Sequence, residues 1–291
     1  MNDIDAFNEG LLGFLADSPT PFHAVGALAA LLSARGFSEL DEAAAWSLAP
    51  GGRYFLRRNG SSLIAFVKGR DDVVASGLRL VGAHTDSPCL KPKPRPELRR
   101  HGYLQLGVEV YGGALLNPWF DRELSLAGRL SFDTAAGVSH ALVDFRAPIA
   151  VIPNLAIHLD RSVNEGRAVN AQNHLPVLLS SDASEARSFE ELLFARLLEE
   201  HPGCGARQVL GFDLCFYDTR APALVGLHRE FIAGGRLDNL LSCYAGAMAI
   251  AEAPAQVTSV LVCNDHEEVG SVSAAGASGP MLQAVLARLD R

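Results

Sequence analysis

The chain has 291 residues, 48% of them apolar and 20% charged, with a formal net charge of -8. That length exceeds the roughly 100–200 residues of one ordinary core, so one large or two smaller domains are expected. The acidic balance argues against nucleic acid, which is bound through clustered Lys and Arg, and no apolar stretch reaches the roughly 18 residues of a membrane span.

The first residues, Met1-Asn-Asp-Ile-Asp5, lack the basic-then-apolar layout of a secretory signal, so a cytoplasmic location is expected. Residues 5–17 carry Phe7, Leu11, Phe14 and Leu15 at helical spacing. Ser18-Pro-Thr-Pro21 breaks that helix, and a second runs over 24–35 to Gly36. Arg53 to Arg58 and Ser62 to Lys68 alternate around Asn59-Gly60, a hairpin signal. Residues 78–83, apolar apart from Arg79, form a short run that predicts a strand buried on both faces, and they deliver His84-Thr-Asp86 at its C-terminal end. The basic run Lys91-Pro-Lys-Pro-Arg-Pro-Glu-Leu-Arg-Arg100 alternates with prolines and reads as an extended, solvated connection between domains. Beyond it, β-like segments at 103–111, 126–132, 140–145 and 208–217 alternate with turns, and 188–200 alone is strongly helical. After Gly234-Gly235 come a helix over 238–252, a strand over 257–264, a glycine-rich loop and a helix over 280–290. The expected organisation is an α/β domain built from 1–91 and 235–291, interrupted by a β-rich insertion over 92–234. The five cysteines form no Cys-x-x-Cys pair, and Cys89, Cys215, Cys243 and Cys263 lie in the apolar surroundings of small buried thiols.

Three clusters in the α/β parts carry candidate chemistry. His84 and Asp86 lie two apart at a strand end, on one face. A metal-binding imidazole usually gives its second nitrogen to such a carboxylate. Taken alone, the plainer reading is a polar loop with a satisfied histidine. Asp238, in Gly234-Gly-Arg-Leu-Asp-Asn239, opens a helix, where it is either an ordinary cap or a carboxylate bridging two cations. The strand 257–264 runs into Asp265-His-Glu-Glu268, whose adjacent carboxylates repel unless cations or hydrogen bonds compensate. A division of labour resolves the conflict, one Glu binding metal and its neighbour serving as general base. Each cluster has a bland alternative, a solvated acidic loop in the last case. Together, imidazole and carboxylates without a thiolate suit catalytic Zn²⁺, Mn²⁺ or Co²⁺, and metal-assisted hydrolysis is the favoured class. No Gly-x-Ser-x-Gly, Walker, Gly-x-Gly-x-x-Gly or His-Glu-x-x-His motif competes.

The motifs Ser18-Pro-Thr-Pro-Phe-His-Ala-Val25, Gly82-Ala-His-Thr-Asp-Ser-Pro-Cys-Leu90, Tyr111-Gly-Gly113, Trp119-Phe-Asp-Arg-Glu-Leu-Ser-Leu-Ala-Gly-Arg129, Ile152-Pro-Asn-Leu-Ala-Ile-His-Leu159, Gly235-Arg-Leu-Asp-Asn239 and Glu267-Glu-Val-Gly-Ser271 resemble the aspartyl aminopeptidase family (M18), in order and spacing. The resemblance implies an α/β phosphorylase/hydrolase-like metallopeptidase domain interrupted by a β-rich dimerisation domain. It implies assembly into a homo-oligomer, a tetrahedral dodecamer, and removal of N-terminal acidic residues from peptides with two divalent cations, zinc foremost. His84 would ligate one cation, Asp238 would bridge both and Glu268 would ligate the second. Glu267 would be the general base and Asp86 the carboxylate supporting the site. His158 would reach the active site of a neighbouring subunit. In the family each metal also takes a ligand further downstream, an Asp in an Asp-Met-Ala-His-like motif and a His near the C-terminus. The chain reaches Arg291 before either, so a truncated chain with weak metal binding, negligible activity and exposed apolar surface is expected. The rival readings are a truncated or decayed homologue serving only as an oligomeric scaffold, and a related aminopeptidase of neutral or basic specificity.

Overall fold

The computed structural model describes residues 3–182 and 187–289. The chain divides into two compact units, residues 1–87 with 221–291, and residues 88–220. The expected divisions lay after residues 91 and 234. Residues 221–234 belong to the first unit because Ile232 packs on its core.

In chain order the first unit begins with α1 (Asp3–Ala16), α2 (Pro21–Ala34), β1 (Ser38–Glu39), β2 (Arg53–Arg58), β3 (Ser62–Val67), α3 (Val73–Ser76) and β4 (Leu78–His84). The second unit holds β5 (Cys89–Arg100), β6 (Tyr103–Tyr111), β7 (Leu124–Thr134), β8 (Gly137–Asp144), α4 (Val163–Gly166), α5 (Ala171–His174), β9 (Val177–Ser180), α6 (Phe189–Glu200) and β10 (Gln208–Asp218). The first unit resumes with β11 (Ala223–Val225), β12 (Phe231–Ala233), α7 (Leu237–Ala251), β13 (Thr258–Asn264) and α8 (Met281–Leu289). The last residue of the helix expected over 280–290 lies outside the described residues.

The first unit is a sheet of order β1-β2-β3-β13-β4. Leu63, Ala65 and Val67 face one side with Leu261 and Cys263, where α1, α2 and α7 bring Leu15, Leu28 and Ala247. Ile64, Phe66, Val260 and Val262 face the other, where α8 brings Met281, Val285 and Leu289. Period-two alternation thus sends each central strand's side chains into two cores at once. This is why β3 is buried at every residue rather than alternating with solvent. Proline at the first helical position sets α2, with the Thr20 side chain accepting the His23 N–H. The prolines of Ser18–Pro21 therefore open the second helix as well as ending the first. The Asn59-Gly60 turn takes positive φ at both residues (55° and 70°), the twist that suits a tight hairpin.

Two expectations are corrected here. The run 78–83 forms β4, but it is the sheet's edge rather than an interior strand, with Leu80 44% and Val81 51% exposed. Among the described residues, β13 is its one strand partner. An apolar run reports what a strand is fit to bury, and packing decides whether it is covered. The proline-rich run is no solvated connection. It is β5, inside the second unit's sheet of order β8-β7-β10-β5-β6-β9. β5 pairs with β6 at residues 89–92 and again at 97–100, with the register shifting between Pro92 and Glu97. Pro94 and Pro96, which have no N–H to donate, fall in the irregular stretch between the two paired segments.

The core of the second unit gathers Leu106, Leu126, Leu130, Phe132, Leu214 and Phe216 under α6. That helix carries a reciprocal capping box between Ser188 and Glu191 and buries Phe189, Leu193 and Leu197.

Candidate metal centre

His84 is the last residue of β4, paired in parallel register with Asn264 at the end of β13. Two adjacent parallel strands therefore end together, and the loops leaving them lie side by side at the carboxyl edge of the sheet, where open α/β folds place their sites. Asp238 arrives from the start of α7, which packs against β4 and β13.

The geometry is built around Asp86, whose side chain is fully buried. One of its carboxylate oxygens accepts the Glu267 N–H at 3.1 Å and the other accepts the Glu268 N–H at 3.1 Å. The same carboxylate lies 3.4 Å from His84 Nδ1, and the Asp86 backbone carbonyl lies 3.1 Å from that nitrogen. Two acceptors around Nδ1 assign the ring proton there and leave the Nε2 lone pair facing outward. On that outward side, Asp238 Oδ1 stands 3.3 Å from Nε2 and Glu267 Oε2 stands 3.8 Å away. Burial lowers the His84 pKa, but Asp86 and then Glu267 outweigh it, and the net direction is up from 6.5.

The backbone is fixed as closely as the side chains. The His84 N–H donates to Asn239 Oδ1 at 3.2 Å, the Cys243 thiol donates to the His84 carbonyl at 3.1 Å, and the Ser87 hydroxyl donates to the Asp238 carbonyl at 2.8 Å. Glu267 and Glu268 sit in a single 3₁₀ turn (Glu267–Val269) after His266, whose φ is +66°. Buried Asp265 accepts the His266 N–H, and His266 Nδ1 meets Ser273 Oγ at 2.8 Å.

The structure thus brings together His84, Asp86, Asp238 and Glu267. It places Glu268 half-buried in the same turn, its N–H on Asp86. His158 lies in the second unit, exposed, in the loop between β8 and β9. Sequence reasoning missed Asn239, Ser87 and Cys243, which act through backbone groups that no side-chain motif reports. An imidazole nitrogen with a fixed tautomer beside carboxylate oxygens fits a divalent cation in kind. In number the donors fall short: among the described residues, no three His, Cys, Asp or Glu side chains are grouped so as to hold a metal ion.

The fold is thus a mixed α/β sheet with imidazole and carboxylate groups gathered at its carboxyl edge. The chain belongs to the M18 family, since residues 14–291 match the family described as aminopeptidase I zinc metalloprotease (M18). It is 58% identical over 286 residues to a probable M18 family aminopeptidase 2 of Pseudomonas putida (strain GB-1), covering 98% of this chain and 66% of that protein. A protein of the same description from Azotobacter vinelandii is 58% identical over 283 residues, 97% of this chain and 66% of that one. The chain thus spans just under two thirds of the length of these relatives. Among solved structures, Ape4 in its complex with Nbr1 matches with a TM-score of 0.91 at 34% identity, covering 98% of this chain and 59% of that one. Chaetomium thermophilum mApe1 matches at 0.88 and 30%, covering 98% and 68%. The S. cerevisiae mApe1 dodecamer matches at 0.78 and 25%, covering 99% and 67%.

Proposed function

We propose that this chain carries the larger share of a two-cation aminopeptidase that removes N-terminal acidic residues from peptides and works as a homo-oligomer. The observation that carries the proposal is the imidazole of His84, held from behind by Asp86, with Asp238 and Glu267 within 4 Å of its outward nitrogen. Family membership supports peptidase chemistry and zinc as the cation, and the dodecameric relative supports the oligomer. The acidic preference rests on the resemblance to aspartyl aminopeptidases.

In this reading His84 and Asp238 would hold one cation, and Asp238 and Glu268 would hold a second. Such cations, when bound, polarise a carbonyl and acidify water. Asp86 keeps the His84 proton on Nδ1, so that Nε2 remains a donor of electrons. Glu267, about half exposed on its side chain, accepts the proton of the attacking water and delivers it to the departing amine. His158 enters the site of a neighbouring subunit and donates to the oxyanion formed from the scissile carbonyl.

Among the described residues no three His, Cys, Asp or Glu side chains are grouped to hold a metal ion, and on this reading residues 1–291 alone are expected to bind cations weakly and turn over peptide negligibly. The test uses metal content and an aminoacyl-anilide panel, on this chain and on a version extended by the remaining third of a relative. In the extended enzyme Glu267→Gln keeps metal and loses several orders of magnitude in kcat, whereas Asp238→Asn loses metal as well. Unchanged turnover in the Gln variant removes Glu267 from the mechanism, and full activity from residues 1–291 shows the ligand set to be misassigned. A panel preferring neutral or basic residues replaces the acidic specificity.

A further inference from the structure

The loop that carries His158 has no core of its own. Every residue from 153 to 159 is exposed, including Leu155 (61%), Ile157 (53%) and Leu159 (66%). Its internal hydrogen bonds are two short-range ones, from the Leu159 and Asp160 N–H groups to the Ala156 carbonyl. A segment that buries nothing takes its position from its ends.

Those ends are tied with some care. Phe120 and Ile152 form a parallel bridge, and the Asp121 N–H donates to the Ile152 carbonyl at 2.9 Å. Asp121 then turns its carboxylate back over the departing chain. One oxygen accepts the Asn154 N–H at 2.8 Å and the other accepts the Asn154 side-chain amide at 2.8 Å. Backbone and side chain of one residue are thus gripped by a single anion, a two-point hold that fixes direction as well as place. Asp121 reaches this pose with φ at +55°, a region that Asp tolerates better than most residues. At the far end of the loop, Arg167 donates to Asn154 Oδ1 and lies 4.1 Å above the Phe120 ring. Residues 154 and 167 therefore close a neck, and Asp121 and Phe120 are its outer wall. The two Asn154 donors, and secondarily Arg167, hold the Asp121 carboxyl below the usual carboxylate range.

We infer that Asp121 is a positioning residue: with Asn154 and Arg167 it forms the neck that fixes the loop presenting His158. The inference rests on the proposal that His158 serves a neighbouring subunit's site, but its physical core is separable from that chemistry.

The test is amide hydrogen exchange on residues 1–291. In Asp121→Ala, two hydrogen bonds disappear, and the Asn154, Leu159 and Asp160 amides exchange about tenfold faster, while Leu126 and Phe216 in the sheet keep their protection. The exchanged pair, Asp121→Asn with Asn154→Asp, restores donor and acceptor in reverse and recovers most of the protection that Asn154→Asp alone loses. A generally destabilised unit would speed the sheet amides too and would not be rescued. Unchanged exchange at the three loop amides in Asp121→Ala, or a swapped pair as fast as the single variant, overturns the inference. In the extended, assembled enzyme, Asp121→Ala lowers kcat with little change in KM. Full turnover from His158→Ala there removes the catalytic role of the loop and leaves the exchange result standing.

Discussion

Replacing Asp86 by Asn probes the centre of the site without changing its shape. Asp86 offers two anionic oxygens to two backbone donors, Glu267 N–H and Glu268 N–H, each at 3.1 Å, from a fully buried position. Asparagine can present one oxygen and must turn an amide N–H₂ toward the other donor. One charge-assisted hydrogen bond is then lost, worth about 2 kcal/mol, and the stranded backbone N–H adds roughly 1–3 kcal/mol. The expected loss is therefore about 3–5 kcal/mol. Urea unfolding followed through Trp46, with Trp119 replaced by Phe so that only the first unit reports, measures it. Trp46 is well placed because its ring packs on Phe66 at 6.2 Å. The slope should be unchanged and the midpoint should fall. An unfolding free energy within about 0.5 kcal/mol of the parent would refute the claim that this carboxylate holds the Glu267 turn.

Further outcomes follow from the packing. Phe66, fully buried between Trp46, Tyr54 and α8, should cost about 3–5 kcal/mol on truncation to Ala, seen as a lower urea midpoint of the first unit. Cys204 should react with a disulfide reagent at pH 8 before the other thiols, because Cys89, Cys215, Cys243 and Cys263 are buried. Neighbouring thiols and burial push Cys89 and Cys243 up, so these two stay protonated as the pH rises through the ordinary thiol range, and they should react only on unfolding.

Much of the fold was legible where local chemistry and packing agree. Residues 188–200 read as strongly helical, and the structure makes them α6 behind a Ser188–Glu191 capping box. Asn59-Gly60 announces a hairpin because few other pairs tolerate positive φ twice. Legibility fails where the deciding partner is distant in the chain. The prolines of β5 look like a linker until β6 supplies pairing on either side of a bulge. Leu80 and Val81 look like interior residues, and only the strand order reveals an edge. The site divides in the same way. His84, Asp86, Asp238 and the two glutamates stand out by residue type at element ends. The grip of Asp86 on the Glu267 turn is backbone chemistry across 181 residues of sequence, and nothing in the motif encodes it.

The most direct measurement is anomalous scattering at the zinc edge from crystals of the extended enzyme soaked in Zn²⁺. The account predicts a peak about 2.0–2.2 Å from His84 Nε2 and from an Asp238 oxygen, lost in His84→Ala. A peak elsewhere, or one that survives the loss of His84, would contradict it.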